Sequence, residues 1–181
     1  MFGALTASAN EGKLSLVENK ESHSIIYELD SHAENTVIKL VDAENNIIYS
    51  ENVDVLSYTK KFDLKNLNDG WYYFTTEDAL KTIVYTIDIS NSDVKIVERK
   101  EKNKPVFKKD NGMVYLNLLN LDKKDVKIEV FDSSNRLIFS EKQTDEMIIE
   151  KAFNFTKAYK DSYTVVVHYS NETYYENVKI N

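Results

Sequence analysis

The run Val126-Lys127-Ile128-Glu129-Val130-Phe131-Asp132-Ser133-Ser134-Asn135-Arg136-Leu137-Ile138-Phe139-Ser140-Glu141 opens with apolar and polar residues in strict alternation. It then passes an Asp/Ser/Asn turn and returns to apolar residues. Period-two alternation places one face on a core and the other in water, which is a strand. Residues Ile128–Glu141 also align with Ile38–Glu51 at an offset of 90. Ile38/Ile128, Asp42/Asp132, Asn45/Asn135, Ile48/Ile138, Ser50/Ser140 and Glu51/Glu141 are identical. Unrelated segments of this length would share roughly one residue. Leu40/Val130, Val41/Phe131, Ile47/Leu137 and Tyr49/Phe139 keep apolar character in both copies.

The duplication continues outward. Phe62-Asp63-Leu64 meets Phe153-Asn154-Phe155, and Thr82–Ile89 meets Thr173–Ile180. The chain is therefore a tandem repeat of units of roughly 80 to 90 residues. The boundary is predicted at Glu98-Arg99-Lys100-Glu101-Lys102-Asn103-Lys104-Pro105, which is charged and carries the only proline. That is linker composition, and Lys100–Pro105 reads as a hinge. Strand patterns recur throughout, as in Tyr85-Thr86-Ile87-Asp88-Ile89, punctuated by Asn45-Asn46, Asn68-Asp69-Gly70 and Asp110-Asn111-Gly112. Asn111-Gly112 predicts a type I′ hairpin between Val106–Lys109 and Met113–Leu118, because both residues tolerate positive φ. The best helical candidate, Thr75–Lys81, is too short for more than a turn.

About seven short strands per unit predict an all-β fold of two tandem Ig-like antiparallel β-sandwiches, over residues 10–99 and 105–181. Leu67-Asn68-Asp69-Gly70-Trp71-Tyr72 resembles the tyrosine corner of immunoglobulin-like domains. Tyr159-Lys160-Asp161-Ser162-Tyr163 is its counterpart, with Ser for Gly. The run Val126–Ser140 resembles the Ig-like C-terminal modules of exported Bacteroidetes proteins, above all the sorting domains of the type IX (Por) secretion system. Leu67–Tyr72 resembles their apolar-x-x-Gly-x-Tyr turn, and Tyr174–Ile180 their closing strand. Asn135 stands where that family favours Gly. The resemblance implies an exported protein at the periplasm, cell surface or exterior.

The N-terminus agrees with export. Ala7-Ser8-Ala9 follows a short apolar run and fits a signal-peptidase site, so residues 1–9 read as the tail of a signal peptide. No segment approaches the ~20 apolar residues of a membrane helix.

Composition excludes much chemistry. With no Cys there is no disulfide, thiolate nucleophile or Cys-zinc site. The four glycines lie too far apart for a phosphate-binding loop. The net charge of −7 argues against a nucleic-acid partner, and the acidity is concentrated in residues 1–99. His23, His32 and His168 lack metal-ligand spacing. Asp42-Ala43-Glu44-Asn45 and Asn66–Gly70 are oxygen-rich but lack a calcium-loop pattern, so they read as turns. The sequons Asn154-Phe155-Thr156 and Asn171-Glu172-Thr173 carry nothing in a bacterial protein. No catalytic residue, metal or cofactor is expected.

What remains is a recognition surface. If Tyr72 and Phe74 are core, alternation turns Trp71 and Tyr73 outward. Exposed rings stack on sugars or proteins, although Trp71 has the alternative of packing against a loop or the neighbouring unit. Two functions stay open. One is a non-catalytic exported module binding a protein or glycan at the envelope. The other is a sorting-type module recognised by the secretion machinery.

Overall fold

A computed structural model describes residues 13–19, 21–30, 35–91 and 93–180. Residues 1–9, the expected signal-peptide tail, and His32 lie outside them. The chain divides between Lys102 and Asn103 into two compact units. All the regular elements among the described residues are strands.

Unit 1 contains β1 (Lys13–Asn19), β2 (Ser24–Asp30), β3 (Thr36–Asp42), β4 (Ile47–Val53), β5 (Ser57–Asp63), β6 (Gly70–Glu77), β7 (Lys81–Ser90) and β8 (Asp93–Asn103). They form two sheets, in the orders β1-β2-β5 and β4-β3-β6-β7-β8. Unit 2 contains β9 (Val106–Asp110), β10 (Met113–Leu119), β11 (Val126–Phe131), β12 (Leu137–Gln143), β13 (Ile148–Asn154), β14 (Ser162–Tyr169) and β15 (Glu172–Lys179). Its sheets run β13-β10-β9 and β12-β11-β14-β15. Each unit is thus an Ig-like antiparallel sandwich with strands one, two and five on one sheet and the rest on the other.

The alternation read in the sequence is what builds the cores. Ile25, Tyr27 and Leu29 of one sheet meet Ile38, Leu40, Tyr72, Phe74, Ile83 and Ile87 of the other in unit 1. Phe74 is fully buried, with its ring centroid 5.1 Å from Tyr27 and 5.3 Å from Phe62. In unit 2, Val114, Leu116 and Leu118 face Val126, Ile128, Val130, Val165 and Val167. Edge-on Tyr49–Phe62 recurs as Phe139–Phe153, at 5.1 and 5.6 Å.

The repeated Asp and Asn have one job in both copies. The Asp42 carboxylate accepts the amide N–H groups of Glu44 (3.0 Å) and Asn46 (2.8 Å). Asp132 accepts those of Ser134 and Arg136, both at 2.9 Å. Asn45 and Asn135 take φ of 65° and 58°. Asn is the non-glycine residue best suited to that left-handed region, so both turns form without Gly. Asn111 and Gly112, at φ 46° and 79°, make the expected two-residue turn between β9 and β10. The corner tyrosines also fall in place. Tyr72 donates its hydroxyl to the Asn68 carbonyl at 2.8 Å, and Tyr163 to that of Tyr159 at 3.1 Å. Each ring is buried. Tyr72→Phe is expected to cost about 1–1.5 kcal/mol. A melting curve that overlays the parent would show the bond to be idle.

Among the described residues, unit 1 has eight strands and unit 2 seven. The charged segment read as a linker needs correction, because it is largely strand: β8 runs to Asn103. An edge strand needs only its backbone to pair, so charged side chains do not disqualify it. They are matched here, with Glu101 taking Lys81 (3.2 Å) and Arg99, and Glu98 taking Lys100 (2.9 Å). Thr75–Lys81 is no helical turn either: it is the end of β6, a short loop and the start of β7.

Candidate recognition surface

Strand β6 carries the two candidate residues. Tyr72, Phe74 and Thr76 point into the core, so Trp71, Tyr73 and Thr75 face outward. Trp71 is 48% exposed, and Tyr73 is half-buried. Trp71 stands opposite Asp88 of β7; Tyr73 stands opposite Thr86 of β7 and Val41 of β3. Val41 in turn stands opposite Ile47 of β4, which is 64% exposed. Thr86, Tyr73, Val41 and Ile47 thus form a stripe across the outer face, with Trp71 at its margin. The sequence singled out the aromatic pair. It did not single out Ile47 and Ile48, whose counterparts Leu137 and Ile138 are likewise exposed.

A second cluster was missed. Glu51 of β4 accepts hydrogen bonds from Tyr49, from Tyr58 (2.6 Å) and from Lys60 (2.9 Å). The Lys60 ammonium also lies 4.4 Å from the Tyr49 ring centroid. Because β4 and β5 belong to different sheets, the cluster ties the sheets together along one open side. Unit 2 keeps the ion pair, Lys151 with Glu141 at 2.7 Å, but has Phe139 in the place of Tyr49. The ion pair thus bridges the two sheets in both units. The donated bonds, that from Tyr49 foremost, pull the Glu51 carboxyl from 4.5 down to about 2. A carboxylate held below its unfolded value stabilises the fold above pH of about 4.5, and this is lost as pH falls toward 2. The melting temperature of unit 1 is therefore expected to drop over that interval, and less so in Glu51→Gln. Equal acid slopes for the two proteins would show the latch to be inert.

Other polar groups are spent on structure. His168 of β14 contacts Glu129 (3.1 Å) and Thr173 (3.1 Å), and Glu129 also takes Lys127 at 2.8 Å. His23 lines a cavity of about 310 Å³ with Leu64, Leu67, Ile89 and Val94. Among the described residues no group of three or more His, Cys, Asp or Glu is arranged to hold a metal ion. No helix among them is long and apolar enough to cross a membrane.

Residues 20–90 match the model of the secretion system C-terminal sorting domain family. The match spans β2 to β7 and so falls in unit 1, while the resemblance was clearest to read in unit 2. No curated protein matches the chain. Solved structures with similarity include the BSP domain of a biofilm-associated protein, at 12% identity and TM-score 0.30, covering 94% of this chain and 29% of that one. They also include the two-domain fibronectin type III segment of chicken tenascin, at 6% and 0.30, covering 93% and 98%. The human OSCAR ligand-binding domain stands at 8% and 0.27, covering 94% and 98%. The chain spans under a third of the first structure's length. Strand order and core, not these distant likenesses, define the fold.

Proposed function

We propose that this chain is a non-catalytic part of an exported protein, with unit 1 serving as a sorting-type module recognised by a type IX secretion apparatus. One observation carries the reading: the sorting-domain match covers residues 20–90, and these form an Ig-like sandwich with its turn locked by Asp42 and its corner tied by Tyr72. The exposed stripe around Tyr73, with Trp71 beside it, is the part of unit 1 suited to a protein or glycan contact. Rigid aromatic rings give wide contact at low entropy cost.

The test joins the whole chain to the C-terminus of a reporter enzyme that carries a signal peptide. The fusion is expressed in a type IX-competent bacterium and in its translocon-deficient mutant. Reporter activity outside the cell only in the competent strain is expected. Periplasmic retention in both strains would overturn the sorting reading. A Trp71→Ala, Tyr73→Ala fusion is expected to be retained although folded, and unchanged export would remove these rings from the recognition surface.

A further inference from the structure

Three connections meet at one end of unit 1: the β1–β2 turn, the β5–β6 connection and the β7–β8 turn. Between them lies the cavity of about 310 Å³. Its floor is apolar, with Leu64, Ile89 and Val94 belonging to the core and Leu67 packed against it. Its rim is polar, made by His23, Lys65 and Asp69. Main-chain bonds hold this rim in place. The Leu64 amide donates to the His23 carbonyl at 3.0 Å, and the Leu67 amide to the Leu64 carbonyl at 3.0 Å. The Asn91 amide donates to Asp69 Oδ2 at 3.1 Å, which ties the β7–β8 turn to the β5–β6 connection.

Unit 2 builds the same corner from other residues. The Gly112 carbonyl accepts the Phe155 amide, as that of His23 accepts Leu64. Thr156 stands where Lys65 stands: their amides donate to Asn154 Oδ1 and Asp63 Oδ1, both at 3.0 Å. His23 has a φ of 45° and Gly112 one of 79°. Glycine enters this left-handed region freely, whereas histidine does so against the steric preference of its Cβ. The turn therefore needs no imidazole, and the connection needs no ammonium. Among the described residues, neither the His23 ring nor the Lys65 ammonium has a hydrogen-bond or ionic partner. Unit 1 thus places two unused donors at the mouth of an apolar cavity.

We propose that this cavity binds a small organic carboxylate with an apolar tail. The tail enters toward Leu64, Leu67, Ile89 and Val94, and the carboxylate stays at the rim with the His23 ring N–H and the Lys65 ammonium. A carboxylate fits two unused donors because it carries acceptors only, and its bond to an ammonium is charge-assisted. Asp69 repels it, which sets the anion on the His23–Lys65 side. The volume lies at the small end of ligand pockets and holds roughly ten heavy atoms, at the ~30 Å³ of liquid volume that a water molecule takes. That is the size of octanoate. The cavity is separate from the stripe around Tyr73, and its test involves no export.

The probe is octanoate, titrated at neutral pH into the ¹⁵N-labelled full chain. Saturable amide shifts are expected over residues 21–24, 64–69 and 89–91, with a dissociation constant below about 1 mM. Lys65→Met is expected to weaken octanoate at least about fivefold. Octan-1-ol, which has the same tail without the charge, is expected to bind parent and variant alike, and more weakly than octanoate binds the parent. His23→Gly, the residue of the other repeat, is expected to weaken octanoate about threefold or more without lowering the melting temperature of unit 1. A dissociation constant above about 1 mM, or no saturation, would overturn the proposal. So would octanol binding as tightly as octanoate, octanoate binding unchanged in both variants, or shifts gathered around Gly112 and Val178, which would put the ligand in unit 2.

Discussion

Replacing Phe74 with alanine is expected to lower the unfolding free energy of unit 1 by about 3–5 kcal/mol. The ring is fully buried between Tyr27 and Phe62, which belong to the opposite sheet. Its removal empties the centre of the core, and the flanking rings lose edge contacts that smaller side chains cannot replace. A unit of this size has roughly 5–10 kcal/mol in total, so the variant stands near the limit of folding. Trp71 is the only tryptophan and lies in unit 1, so its fluorescence follows that unit alone in urea. The β-signal of unit 2 in circular dichroism is expected to melt as in the parent. Simultaneous loss of both signals would show that the two units share one cooperative transition, and the two-domain reading of the duplication would fail.

Much of the fold was legible because the chain states its pattern twice, once in each unit. Alternation in Val126–Val130 and Tyr85–Ile89 set the inward faces, and Asn111-Gly112 set a turn by its tolerance of positive φ. The features that escaped did so for physical reasons. Strand β8 pairs through its backbone and buries little beyond Val94 and Ile96, so its charged tail looks like linker. The turn between β14 and β15 uses Ser170 and Asn171, both at positive φ, without the glycine that advertises such a turn. The Glu51–Lys60 latch was half visible. Glu51 aligns with Glu141 at an offset of 90, but Lys60 aligns with Lys151 at 91, and a one-residue slip hides the pair. Asn120 is fully buried, holding the Lys124 and Glu146 carbonyls, yet nothing in its neighbourhood marks it in sequence. The candidate surface followed the same rule. Trp71 and Tyr73 were legible from strand parity alone, whereas Ile47 needed the β3–β4 register to place it beside Val41.

The largest effect expected in unit 2 is at Asp132. Its side chain is almost wholly enclosed, and its carboxylate takes two backbone amides and the Arg136 Nε at 2.6 Å. These bonds hold the carboxyl below its usual range, the Arg136 amide contributing most. Asp132→Ala leaves those amides without their acceptor at the point where β11 turns into β12, and Asn135 must still hold its left-handed conformation unaided. Orphaned donors cost more than an average hydrogen bond contributes, so a fall in the melting temperature of unit 2 on the order of 10 °C is expected. Asp132→Asn keeps an acceptor oxygen and is expected to recover about half of the loss. Asp42→Ala is the internal control: the same turn is more open to water there, water can replace the carboxylate, and a smaller fall in unit 1 follows. Equal falls in the two units would mean that the carboxylate acts by shaping the turn alone. A negligible fall at Asp132 would mean that the strands impose the turn, and that the identity shared by the two repeats at this position has another cause.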